Sequence, residues 1–256
     1  MPGRALLAPE MLFGFLLALA RVSGVVAFLP VPGIRNAPDL TRIALAFSMT
    51  LCLSSSWPKP AADPGIVLLT FWVLAEAALG VLIGLCASVL VESFQLGTQV
   101  LGLQAGFSYA STVDPNSQAD STILQIFAQL LASILFFGLG FHRQLLALVA
   151  QSFQTIPPGT FVPNAAAGQT AINLTGAILS TGLRVAFPVV ALLLLVDIAL
   201  ALLSRIQAQL QLMTLAYPAK MLTAIGFFAV TLWVLPSVAQ TTFRKSLEAI
   251  MTVVGR

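Results

Sequence analysis

The sequence predicts an all-α integral membrane-type protein of about six long hydrophobic helices or helical hairpins, and three observations lead there. Hydrophobic residues make up 58% of the chain and charged residues only 8%, where a soluble domain carries roughly 25% charge. The 12 basic and 9 acidic side chains cannot cover the surface of a 27.0 kDa body in water, and mean hydropathy is +0.97. Apolar stretches recur at approximately 11–30, 40–57, 66–92, 122–153, 172–204 and 210–239, compared with the ~20 residues that cross a bilayer.

Taken in order, the first stretch imitates a secretory signal, with Arg4 before an apolar run and a small-residue "ALA" at 18–20. Apolar character resumes directly after Arg21 in "VSGVVAFLP", so a retained helix is expected. "PVPGIRNAPD" stops it, and "SSSWPKPAADPG" stops the second, because Pro, Gly, Asn and Asp set turns. The third, "IVLLTFWVLAEAALGVLIGLCASVLV", carries a single charge and at ~1.5 Å per residue is about 39 Å long. "TIPPGTFVPNAAAG" divides the fourth stretch from the fifth and sixth, which end the apolar part of the chain.

Charge excludes some functions and leaves others open. The net charge is +3, but the basic residues are scattered, so no run tracks a phosphate backbone and nucleic acid is not an expected partner. If six spans alternate, Arg35, Arg42, Arg205 and Lys220 face Arg4, Lys59, Arg244, Lys245 and Arg256, too even a split to orient the chain. Inside the apolar stretches stand Arg21, Glu76, Arg184 and Asp197, each costing roughly 2.5–3.5 kcal/mol at the centre of a lipid-facing helix. They are therefore paired, wet or away from lipid. In a transporter they would mark a substrate or proton path; in an assembly they would pin helices together. Gly80 and Gly84, and again Gly102 and Gly106, stand four apart on one helix face and allow close backbone approach, between chains or within one.

Enzyme chemistry is not expected. Cys52 and Cys86 sit singly in apolar runs as small hydrophobes, and one histidine, His142, cannot build a multi-His metal site. That histidine reads as a satisfied helix-end residue beside a turn. No GxSxG elbow and no phosphate-cradling loop occurs. No cofactor or metal is expected. A secondary transporter or small-solute channel is the rival class, although no repeat relates the two halves.

The most unusual segment is 92–121, too long for a routine helix connection and without a single Lys or Arg. It offers small residues (Gly102, Ala105, Gly106, Ala110), the aromatics Phe107 and Tyr109, and the hydroxyls of Ser108, Ser111 and Thr112. Asp114 before Pro115 then initiates a turn. Irregular backbone at membrane depth survives only where protein or a water-filled cavity surrounds it, so the segment is expected to line or close a pore. A merely solvated loop is the alternative.

At these residues the chain resembles a known family. "GLQAGFSYASTVDP" is similar to the central motif of the flagellar biosynthetic protein FliR family, the R subunit of the flagellar type III export gate. "GFHRQLLALVAQSFQTIPPG", "LLLLVDIALALLSRIQAQLQLMTLAYPAK" and "PVPGIRNAPDLTRIALA", with Pro38 and Arg42, resemble its other blocks in the expected order, from about 11 to 240. Ala208, Gln209, Leu210 and Gln211 depart from the usual Pro-Gln-Leu-Asn, and Ala216 replaces a usual Gly. Leu103 and Ala105 around Gln104 favour the flagellar branch over the injectisome one.

The resemblance implies a non-enzymatic component of a helical hetero-oligomeric export gate. Expected partners are the P and Q gate subunits, the B and A export-apparatus subunits, and unfolded flagellar export substrates. It implies a multi-pass protein of the bacterial inner membrane and flagellar basal body. Residues 1–170 would form P-subunit-like helical hairpins including the 92–121 pore loop, and 171–256 a Q-subunit-like hairpin. Gly102, Gln104, Gly106, Phe107, Tyr109, Asp114 and Pro115 would belong to a pore plug. Gly80, Gly84, Arg184, Asp197, Arg205 and Lys220 would act as intersubunit packing sites or charge pins.

Overall fold

The structure is a computed structural model and describes residues 9–30, 39–54, 57, 65–107, 123–206 and 212–255. Among these residues the chain is all-helical, as the composition predicts. Helices α1 (Pro9–Ala27) and α2 (Asp39–Cys52) precede α3 (Ile66–Ala105), an unbroken helix of 40 residues. Then come α4 (Ile123–Gly138), α5 (Phe141–Thr155), the 42-residue α6 (Ala165–Ile206), α7 (Leu212–Thr231) and α8 (Leu235–Val254).

Two of these, α3 and α6, are long and apolar enough to cross a membrane, and up to four spans result if the bent pairs α4–α5 and α7–α8 each count as one. The apolar stretches expected at 122–153 and 210–239 thus each hold the bend of such a pair among the described residues, within the all-α membrane-type fold that the sequence predicts. With 14 residues, α2 is about 21 Å long, short of a ~30 Å hydrocarbon core. Between α4 and α5 the axis turns by 66° at Gly138 to Gly140, where Gly140 has φ 74°, a left-handed conformation that side chains resist. The turn lies beside His142, where the sequence places one. Between α7 and α8 the axis turns by 64°. Pro236 stands in the first turn of α8, where its missing N–H leaves no helical bond unmade.

A second difference concerns 92–121. Its first part is not a loop, because α3 continues through it to Ala105. Phe94, Thr98, Leu101 and Ala105, spaced four, three and four apart, are all buried and make one helical stripe. Thr98 returns its hydroxyl to the Phe94 carbonyl at 2.9 Å, so its polar group is satisfied inside the helix.

The chain forms two compact units, discontinuous in sequence: Met1–Val89 with Phe136–Thr175 and Phe243–Arg256, and Leu90–Leu135 with Gly176–Thr242. This division by contact differs in kind from the 1–170 and 171–256 parts that the resemblance implies. In the first unit, α1 and α3 meet at a seam of glycines. A Cβ on Gly24 would stand 2.7 Å from the Ala77 carbonyl oxygen, and one on Gly84 2.9 Å from that of Val25, while one on Gly80 would overlap the Arg21 carbonyl. Phe141 stacks on Phe243 with centroids 4.1 Å apart, and Phe136 meets both edge-on.

Across the same seam lies a fully buried ion pair. Arg21 Nε donates to Glu76 Oε2 at 2.6 Å, its Nη1 to the Ser152 carbonyl at 2.8 Å, and its Nη2 to the Ile156 carbonyl at 2.9 Å. The guanidinium lies 4.6 Å from the centre of the Phe153 ring, and Glu76 Oε1 accepts the Gly159 N–H at 2.8 Å. The arginine thereby reaches the Ile156 carbonyl at the C-cap of α5 and shares the Ser152 carbonyl with the Ile156 N–H, which donates to it at 3.0 Å. Two of the four charges noted inside apolar stretches are thus paired with each other inside the chain.

Candidate functional site

In the second unit the chain approaches the central segment, which carries no Lys or Arg, along the last turn of α3. That turn ends in a Schellman arrangement. Gly106 has φ 83°; its N–H donates to the Leu103 carbonyl at 3.2 Å, and the Phe107 N–H donates to the Gly102 carbonyl at 3.0 Å. Gly106 is therefore needed for its left-handed backbone. Phe107, the residue after it, is half-buried and packs on a core that includes Leu101, Ala105, Val189, Leu193 and Phe228. Gly106→Ala is expected to cost about 1–2 kcal/mol through the strained φ, read as a lower midpoint of thermal unfolding; an unchanged midpoint would show that the cap does not hold the turn.

Within the same turn, two residues before Gly106, Gln104 reaches sideways. Its Nε2 donates to Asp197 Oδ2 on α6 at 3.2 Å, and Asp197 Oδ1 pairs with Lys220 Nζ on α7 at 2.5 Å. Lys220 is mostly covered and Asp197 about two-fifths exposed. Both carboxylate oxygens are thus used, one toward α3 and one toward α7. Three residues far apart in sequence meet at the root of the central segment.

The other expected site residues fall as follows. Gly102 is buried in α3. Tyr109, Asp114 and Pro115 lie outside the described residues. Gly80 and Gly84 are occupied by α1 of the same chain, so packing within one chain accounts for that pair. Asp197 and Lys220 likewise find each other within the chain rather than needing a partner's charge. Arg184 and Arg205 are exposed on α6, amid apolar neighbours such as Leu183, Phe187 and Leu202 that are exposed too. His142 does not meet its expectation: its Nδ1 is buried without a hydrogen-bond partner among the described residues, and its ring leans on Phe137 at 5.1 Å.

Sequence reading missed one feature of this unit. A Cβ on Gly97 would stand 2.9 Å from the Gly182 carbonyl oxygen, and one on Gly182 2.8 Å from that of Ser93, so α3 and α6 touch backbone to backbone. Neither glycine has a companion four residues away, and a spacing search passes over them. Among the described residues no group of three or more His, Cys, Asp or Glu could hold a metal ion. The chemistry available is packing, hydrogen bonding and charge pairing.

Comparison with known proteins covers nearly the whole chain. The family model described as "Bacterial export proteins, family 1" matches residues 12–246. The flagellar biosynthetic protein FliR of Bacillus subtilis (strain 168) is 28% identical over 247 residues, covering 94% of this chain and 94% of its own. That of Escherichia coli (strain K12) is 26% identical over 239 residues, covering 93% and 91%. The one from Caulobacter vibrioides is 24% identical over 237 residues, covering 91% and 93%.

Proposed function

Because the chain belongs to the bacterial export proteins, family 1, we propose that it is the R-type subunit of a flagellar protein export gate in the bacterial inner membrane. The observation that carries this reading is the match over residues 12–246, supported by relatives of similar length that are named flagellar biosynthetic protein FliR. The chain works as a conduit component rather than as an enzyme. It assembles with P and Q gate subunits and with the B and A export-apparatus subunits, and unfolded flagellar subunits pass through the channel they share.

Within that reading, 102–115 plugs the channel. The segment begins at the Schellman turn of Gly106, carries no Lys or Arg, and supplies Phe107 and Tyr109 as bulk, with Asp114 and Pro115 turning it back. Small residues at Gly102 and Gly106 let it pack closely when the channel is shut and move when a chain passes. Residues 1–170 serve as P-like hairpins and 171–256 as a Q-like hairpin. The exposed apolar face of α6, with Arg184 and Arg205, faces neighbouring subunits.

Shortening 104–112 in the assembled gate tests the plug. The expected result is leak of small ions or solutes with recovery of the complex largely kept; unchanged permeability would remove the plug from the proposal. A native pull-down tests the class: partners of other sequence are expected, and a stable lone chain that carries a small solute would refute it.

A further inference from the structure

We propose that Asp197 and Lys220 are positioning residues that latch the root of the plug through Gln104. The inference rests on the reading of 102–115 as a plug. Asp197 is the hub, accepting from Gln104 on α3 with one oxygen and pairing with Lys220 on α7 through the other. Gln104 lies in the final turn of α3, two residues before the left-handed Gly106 and three before Phe107. Anything that pushes Gln104 off Asp197 therefore acts on the turn that aims the central segment.

Physical chemistry makes this contact a two-state element rather than passive packing. An amide holds a carboxylate by a hydrogen bond to its charged form, which is stronger than a neutral one. Lys220 pairs with the same carboxylate and fixes it between α3 and α7, beside exposed apolar residues of α6 such as Leu194, Leu195 and Ile198. Without that cation nothing ties Asp197 to α7, and the carboxylate that Gln104 holds is no longer fixed in place. Phe107 packs against the core of the same unit, so its seat and the Gln104 contact hold one and the same turn.

Gln104→Glu is the direct test, because it replaces the donor by an anion facing Asp197. Measured in cells as leak of a small hydrophilic dye through the complete gate, it is expected to raise permeability about tenfold, the population change that ~1.4 kcal/mol of lost latching gives. Gln104→Glu combined with Asp197→Asn restores a donor–acceptor pair and is expected to return the leak toward the parent level. Recovery of the assembled complex is checked for each variant. If Gln104→Glu does not assemble, Lys220→Met decides: leak is expected, and a tight gate overturns the latch. Leak that the double variant does not reverse also overturns it. A tight Gln104→Glu gate beside a leaking 104–112 deletion removes the latch and leaves the plug standing. If both are tight, the plug reading fails and the latch with it.

Discussion

Glu76→Ala is expected to destabilise the chain by about 3–5 kcal/mol, the cost of stranding a buried charge. Arg21 is fully buried and keeps its bonds to the Ser152 and Ile156 carbonyls, but these are neutral acceptors and leave its charge uncompensated. The Gly159 N–H loses its acceptor at the same stroke. Such a loss takes a large share of the ~5–15 kcal/mol that holds a typical domain folded. Recovery of folded protein and the thermal midpoint of the purified complex read the effect. Glu76→Gln keeps an acceptor for Gly159 and is expected to fall between. Replacing both partners by apolar residues, Arg21→Met with Glu76→Leu, is expected to recover part of the loss, because no charge then remains to be stranded. A Glu76→Ala chain that melts with the parent would mean that the pair is not buried as described.

Gly80→Ala is the second large effect, and its cause is steric. The added methyl overlaps the backbone oxygen of Arg21, which cannot rotate away as a side chain would. Either α1 and α3 separate or their backbones distort, at about 1–3 kcal/mol or more for overpacking a close contact. Separation also pulls Arg21 from Glu76, so the penalty reaches the upper end. Gly84→Ala, with 2.9 Å to the Val25 oxygen, is expected to cost less. Gly176→Ala on α6 meets nothing within 4 Å and is expected to be neutral or stabilising by up to ~1 kcal/mol. The order Gly80, Gly84, Gly176 in melting temperature checks the seam; equal effects at all three would contradict it.

These two sites show which parts of the fold can be read from residues alone. Hydrophobic runs disclosed the helices, because the cost of exposing a backbone in lipid leaves no other structure for them. Gly80 and Gly84 disclosed a close contact, but spacing says nothing of what approaches, and the answer is α1 of the same chain. Arg21 and Glu76 stood out as charges in apolar surroundings, yet pairing them requires knowing that residues 55 apart share a seam. Asp197 and Lys220 are the same case, with Gln104 joining from 93 residues away. The turn at Gly140 was legible beside His142, whereas the stripe from Phe94 to Ala105 was overlooked because glycines and hydroxyls made the segment look irregular. Of the central motif, Gln104, Gly106 and Phe107 have defined places, whereas Tyr109, Asp114 and Pro115 lie outside the described residues.

The bonds of Arg21 also carry a schedule. Glu76 follows it by 55 residues and Ser152 by 131, so a ribosome releases the carboxylate long before the carbonyls that complete the guanidinium's shell. Nascent α1 and α3 can therefore neutralise each other before α5 exists. An insertion machinery that meets them together handles one nearly neutral package in place of two separate ions.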